Sequence, residues 1–311
     1  MKYADLHIHS SYSDGSKRPE EIIDSAIKNN IKCISITDHD SIASQYVTKN
    51  NYDDLLIIPG IELSTEYNNM ELHILGYFID VENNDLKSLV NELNIQRIKR
   101  VESILYNLRK YNINLELKDL EVDNDSTVGR SHIANAMVKK GYFDNYKSAF
   151  RSFLVQGKPG YVKGFRLNYR DCIDVINNSG GVPILAHPGQ IYRKLEVENI
   201  LKELKCFGLK GVEVYHPSHT QGDVNKFYNL SKKYKLCVTG GSDYHGRPVG
   251  NECISIGSCG LNEEFVTVWA TAGFFPLAVF TPALNALLAS MPAERVIRRY
   301  LPEKEPEGEE L

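Results

Sequence analysis

The sequence predicts an α/β fold built on a parallel sheet, either closed as a barrel or open and doubly wound. Three observations predict it. Short strand-like runs alternate with amphipathic helical stretches along most of the chain. Nearly every strand-like run finishes in a histidine or a carboxylate, as strands do when their C-terminal ends share one active-site mouth. No P-loop or GxGxxG turn follows a strand, which argues against the nucleotide-binding members of the class.

In order, the first strand covers Lys2–Ile8. Pro19–Lys28 reads as a helix: Pro19 suits a first helical position, and Ile22, Ile23, Ala26 and Ile27 share a face. Strands follow at Lys32–Thr37, Leu55–Ile61 and Glu71–Ile79. Asp85–Lys110 is a long helix with Leu86, Leu89, Val90, Leu93 and Ile98 at helical spacing, and Arg97 and Arg100 read as its solvated face. Two more helices are expected over 130–140 and 144–155. Strands return at Val182–Ala186, Gly211–Tyr215, Leu236–Thr239 and Cys253–Ile256, separated by helices near 170–178, 195–206 and 222–233. The stretch 82–165 breaks the alternation. It reads as a mostly helical insertion that caps the substrate, leaving 1–81 and 166–260 as the barrel.

The 311 residues carry a formal net charge of −4, with 36 basic and 40 acidic side chains. That balance excludes duplex DNA as a partner recognised by a basic surface. All of the excess lies in residues 261–311, which hold eight acidic and four basic residues. This tail departs from the rest in composition. Val266–Ala293 is a run of 28 uncharged residues, long enough to span a bilayer. Pro276 and Pro282 interrupt it, so a membrane anchor and an extension packed on the barrel both stand behind a foreign or frame-shifted end. The six cysteines form no C-x-x-C pair and are expected to be buried, reduced thiols. The N-terminus has no apolar signal core, and a cytoplasmic location is expected.

The histidines carry the chemistry. His7 and His9 flank Ile8, so in a strand they share one face. Thr37-Asp38-His39-Asp40 closes the second strand, and Gly60-Ile61-Glu62 the third. His73 lies in the next. Ala186-His187-Pro188, Val214-Tyr215-His216-Pro217 and Gly241-Ser242-Asp243-Tyr244-His245 close later ones. A single strand histidine is usually structural. A set sharing one topological position is poorly explained by packing, because each buried imidazole needs a partner. Histidine with Asp and Glu is a donor set for Zn²⁺, Mn²⁺ or Fe²⁺.

These motifs, together with Ser13-Asp14-Gly15, resemble the PHP (polymerase and histidinol phosphatase) metal-dependent phosphoesterases over about residues 1–260. The resemblance implies a distorted (β/α)7 TIM-like barrel with two or three divalent metals, Mn²⁺ first and Zn²⁺ or Fe²⁺ as alternatives. Carried over motif by motif, the ligands are His7, His9, Asp14, His39, Glu62, His73, His187, Asp243 and His245. Gly129-Arg130-Ser131-His132 and Glu213-Val214-Tyr215-His216-Pro217-Ser218-His219 look like the stand-alone branch. Members of that branch resemble 3′,5′-bisphosphate nucleotide phosphatases and 5′-to-3′ exoribonucleases acting on short single-stranded RNA.

The expected reaction is hydrolysis of a small nucleotide's phosphate ester by a metal-activated hydroxide, with Glu62 bridging metals and His39 and Asp243 essential. Arg130, His132, His216, His219 and Arg247 are candidate substrate contacts, since phosphate suits arginine. Three rivals stand beside this reading: a histidinol-phosphate phosphatase, an amidohydrolase-type metal hydrolase, and a non-catalytic module of the same family.

Overall fold

The strands do not form one uniformly parallel sheet. A computed structural model describes residues 2–48, 52, 55–122, 126–191, 196–246 and 254–264. Strands β1 (Ala4–Ile8), β2 (Cys33–Ile36) and β3 (Leu56–Ile57) make one parallel sheet. A second sheet runs in the order β6 (Leu167–Asn168), β4 (Gly60–Tyr67), β5 (Met70–Tyr77), β7 (Val182–Leu185), β8 (Gly211–Tyr215), β9 (Cys237–Gly240). Two parallel bridges join the sheets, His39 to Glu62 and Ile8 to Tyr244. They close β1, β2, β4, β5, β7, β8 and β9 into a distorted seven-stranded barrel.

The expected run Leu55–Ile61 is two strands, because the chain leaves β3 before it enters β4. Strand β5 is antiparallel to both its neighbours, a correction to the parallel expectation. The cause is a tight hairpin. Asn68 and Asn69 both take positive φ, 47° and 63°, which is the two-residue turn whose twist suits antiparallel strands. The expected strand at 253–256 is also absent over 254–256, and Cys253 lies outside the described residues. Gly257 and Gly260, at φ of 80° and 143°, turn the chain so that Leu261 pairs with Ala4 instead.

The helices are α1 (Pro19–Lys28), α2 (Ala43–Val47), α3 (Asn84–Arg109), α4 (Arg130–Lys139), α5 (Tyr146–Ala149), α6 (Tyr169–Asn178), α7 (Val197–Cys206) and α8 (Gln221–Lys233); all but α2, which is not expected, fall where the periodicity places a helix, α5 being shorter than expected. A π-helical turn, Phe150–Leu154, continues α5. Helix α3 has 26 residues, about 39 Å at 1.5 Å per residue, and joins two cores. Its first half packs Leu86, Val90 and Leu93 into the barrel core. Its second half packs Val101, Ile104, Leu105 and Leu108 with Ile133, Met137 and Leu154 in a separate core. The helical insertion is therefore a cap with its own interior. Ile98, expected on the apolar face, is 45% exposed, and Arg97 occupies the inward position.

Cys33 and Cys172 are buried as expected, and no disulfide joins the described cysteines. Cys206 is exposed at the end of α7, a correction. No described helix is long and apolar enough to cross a membrane. The run Val266–Ala293 lies outside the described residues.

Candidate metal centre

All seven barrel strands bring a side chain to one place. His7 lies in β1 and His9 one residue past its end, their rings 5.1 Å apart. Glu62 of β4, fully buried, stands at the middle. Its Oε2 is 3.3 Å from His7 Nε2, 3.2 Å from His9 Nε2 and 3.0 Å from His39 Nδ1. Its Oε1 is 2.9 Å from His73 Nδ1 and 3.0 Å from His187 Nε2. Asp243 Oδ1 lies 3.2 Å from His9 Nε2 and 3.5 Å from His7 Nε2. Asp14 Oδ1 lies 3.0 Å from His245 Nε2 and 3.9 Å from His9 Nδ1. The nine expected ligands thus meet in one cluster.

Six donor atoms of this cluster are buried without a hydrogen-bond partner: His7 Nε2, His9 Nδ1 and Nε2, His39 Nδ1, Asp14 Oδ1 and Glu62 Oε2. Buried polar atoms are almost always satisfied. Here they aim lone pairs at shared points, as ligands do. They form overlapping sets: His9, Asp14, His39, His245; His7, His9, Asp243; His7, Glu62, His187; and His39, Glu62, His73. Imidazole and carboxylate without thiolate suits Mn²⁺, Zn²⁺ or Fe²⁺. The residues present fit a group of divalent metals.

A second layer of residues, to which the sequence reading gave no role, orients the first. Glu213 of β8 accepts the His7 Nδ1–H at 3.0 Å and the His187 backbone N–H at 2.7 Å. That frees His7 Nε2 for a metal. Asp38 accepts from Ser10 N, Ser10 Oγ and Ser13 Oγ at 2.6–2.7 Å, ordering the loop that carries Asp14. Asp5 accepts the Ser242 and Gly257 N–H groups, each at 2.8 Å, and ties β1 to the segment before Asp243. His187 and Asp243 sit at φ of 23° and 51°, left-handed values that cost about 1–3 kcal/mol each. Strain of that size beside a donor cluster is maintained by the contacts around it. Gly241 is required because a Cβ there would lie 2.3 Å from His7 Cβ.

The electrostatics follow from burial and crowding. Burial alone would raise the carboxyls of Glu62, Asp14 and Asp243, but the surrounding imidazoles outweigh it and hold all three well below the usual range. Burial would lower His9 and His73, yet Glu62 with Asp243, or Glu62 with Glu71, pushes each up to about 10. His187 goes the other way, lowered chiefly by burial.

Beside the cluster lies a pocket. Asp14, His39 and His73 form one wall; Arg97, Arg100 and Arg130 come from the cap, and Arg166 from the residue before β6. Arg97 and Arg100 are thus not a solvated face, because the cap folds over them. Arg97 Nε donates to Asp40 Oδ2 at 2.8 Å. Arg130 lines the pocket as expected and donates to Leu154 O. His132 also lines it, while its Nδ1 accepts the Gly129 N–H at the start of α4. His216 and His219 stand elsewhere. His216 Nε2–H donates to Asp243 Oδ2 at 3.3 Å. His219 donates to Val214 O and accepts the Gly189 N–H. Both support the cluster from behind and neither lines this pocket. Arg247 lies outside the described residues. Ser131 Oγ donates to Asp14 Oδ2 at 2.9 Å, and Thr127 Oγ1 to His39 O at 3.0 Å, latching the cap onto the metal loops.

Fold and donor set define a class, a seven-stranded barrel whose mouth gathers His, Asp and Glu side chains that could hold metal. The chain belongs to the PHP domain family, whose model matches residues 5–214. It is similar to the 3′,5′-nucleoside bisphosphate phosphatase of Chromobacterium violaceum, 28% identical over 268 residues, which cover 81% of this chain and 92% of that protein. It is similar to the 5′-3′ exoribonuclease Rnm of Salmonella typhimurium, 29% identical over 247 residues, 78% of this chain and 84% of that one. A solved structure from Bifidobacterium adolescentis shares the fold, with a TM-score of 0.79 at 24% identity over 85% of this chain and 94% of that chain.

Proposed function

We propose that this phosphoester hydrolase acts on small nucleotides, removing phosphate from a 3′,5′-bisphosphate or a mononucleotide from the 5′ end of short RNA. The observation that carries the reading is the convergence of six unsatisfied buried donor atoms around Glu62, opening onto an arginine-lined pocket. His7, His9 and Asp243 would hold one metal region, Glu62 with His7 and His187 or with His39 and His73 a second, and His9, Asp14, His39 and His245 a third. Divalent ions bound there supply Lewis acidity toward phosphoryl oxygens and a water that ionises near neutral pH. Manganese is the metal of first choice for a set with this much oxygen and imidazole.

The chain's own groups do the rest. Arg130 and Arg100 offer guanidinium donors to phosphate oxygens. Glu213 and His216 hold His7 and Asp243 in one orientation. The names of the relatives support nucleotide substrates. The test is phosphate or nucleotide release from adenosine 3′,5′-bisphosphate, short RNA and histidinol phosphate with Mn²⁺. His39→Asn and Asp243→Asn are each expected to abolish it. Full activity in both variants, or preference for histidinol phosphate, overturns the proposal.

A further inference from the structure

The charge of the folded body is unevenly distributed. Residues 126–166 hold eight basic side chains against one acidic one, Asp144, with seven aromatics among them. Carboxylates from outside the segment neutralise four of the cations: Glu121 on Lys139, Asp119 on Lys140, Glu66 on Lys163 and Glu71 on Arg166. Arg130, Lys147, Arg151, Lys158 and Arg100 form no close ion pair with a carboxylate among the described residues, and Glu71 attracts Arg130 and Arg100 at longer range. Burial and the proximity of Arg130 and Arg97 lower the Arg100 guanidinium to about 10, and its Nη2 is buried without a partner. Grouped cations repel one another, and a bound polyanion relieves that repulsion.

Arg130, Lys147 and Arg151 are linked by a run of rings that begins in the pocket. The Arg130 guanidinium lies over Phe150, 5.5 Å from the ring centre, and both line the pocket. Phe150 stacks on Tyr146 at 5.6 Å with the rings 26° apart, and Tyr146 is exposed. Lys147 and Arg151, each one residue on from these rings, are exposed four residues apart on the same run. Phe165, 52% exposed, stands at the pocket rim. Exposed rings alternating with cations suit unpaired bases and their backbone. A mononucleotide would fill the pocket and leave the outer cations unused.

We propose that this face of the cap is a track for a short single-stranded oligonucleotide whose terminal phosphate lies in the metal pocket. Arg100 and Arg130 take the next phosphate, Phe165 and Tyr146 stack bases, and Lys147, Arg151 and Lys158 follow the backbone. The placement of the terminal phosphate rests on the proposed hydrolase reading; the track itself can be judged by binding alone.

The experiment is fluorescence anisotropy of the Mn²⁺-loaded full chain with a labelled 2′-O-methyl RNA of about eight nucleotides. The wild type is expected to bind it about tenfold or more tighter than a blunt duplex of equal length or phosphatidylglycerol vesicles. Lys147→Gln/Arg151→Gln/Lys158→Gln, all at exposed positions, is expected to weaken binding about tenfold or more. The slope of log K against log salt should fall by about 2, at ~0.7 per lost contact. Tyr146→Leu should weaken binding without changing that slope. No binding by the wild type, equal binding by a triple variant that melts like the wild type, or equal binding of duplex or vesicles overturns the track. Turnover is read separately, as kcat/KM for unmodified RNA relative to adenosine 3′,5′-bisphosphate, a ratio expected to fall about tenfold in the triple variant. Absence of turnover on every substrate would defeat the hydrolase reading and leave the binding result to decide the track.

Discussion

Glu213 and His7 stand 3.0 Å apart with neither side chain reached by solvent. The carboxylate fixes the imidazole tautomer, so that Nε2 presents its lone pair to the cluster. Glu213→Gln keeps the shape and removes the charge. It is expected to weaken metal binding about 10- to 100-fold, measured as metal content after equilibration at limiting Mn²⁺. Unchanged affinity would contradict the role given to Glu213.

Arg97 reaches from α3 to Asp40, which is nearly buried at φ 51°. Removing one partner of such a pair leaves an uncompensated charge. Arg97→Met should cost on the order of 3 kcal/mol, less than a fully buried pair because Arg97 keeps some solvent contact. Adding Asp40→Asn should recover part of the loss. A double-mutant cycle by denaturant unfolding checks this, and additive effects would show the pair to be uncoupled.

Gly241 has backbone against His7, with no space for a methyl group. Gly241→Ala should destabilise the protein by about 1–3 kcal/mol and displace His7. The expected readout is a lower melting temperature together with reduced metal content. A variant that melts and loads like the wild type would mean that the two segments can separate without cost.

The stripped and loaded proteins should respond oppositely to pH. In the stripped protein, His9 and His73 are raised to about 10. Their contribution to stability is full below the unfolded value of about 6.5 and is lost as pH climbs toward 10. Asp14, Glu62 and Asp243 are lowered, so their contribution is present above about pH 4 and is lost below it. Stability without metal should therefore peak between about pH 4.5 and 6.5. Metal binding needs neutral imidazoles, so the gain in melting temperature from Mn²⁺ should grow above about pH 6.5. Melting curves in EDTA and in Mn²⁺ check this; a stripped protein equally stable at about pH 6 and 9 would refute it.

Much of the site was legible because the physics was local. Two histidines around Ile8 must share a face in any strand, and each later motif closes a run whose strand character is plain. The Asn68-Asn69 dipeptide is a turn signal too, but no hairpin was read from it. Glu213 carried a signal too, being a charge between Val212 and Val214 in a strand buried on both sides. The arginines of α3 were harder. Arg97 continues the inward row Leu86, Val90, Leu93, Val101, Ile104, Leu108, yet an arginine in a helix normally faces water. Only the fold of the cap over the barrel, a long-range fact, reverses that. His219 misled for a similar reason: its position after a strand suggested the pocket, while both its nitrogens are occupied by backbone.

The two cores meeting along α3 have a consequence for how such a molecule can change over generations. The interior of the barrel and the interior of the cap share one helix, and polar contacts at Asp14, His39, Asp40, Glu66 and Glu71 also join barrel and cap. Substitutions that rework the cap's lining can accumulate without unsettling the reactive centre, and new preferences can be tried while the old chemistry persists. The latches set the limit to that freedom, because a cap that no longer reaches Asp14 would release part of the centre with it.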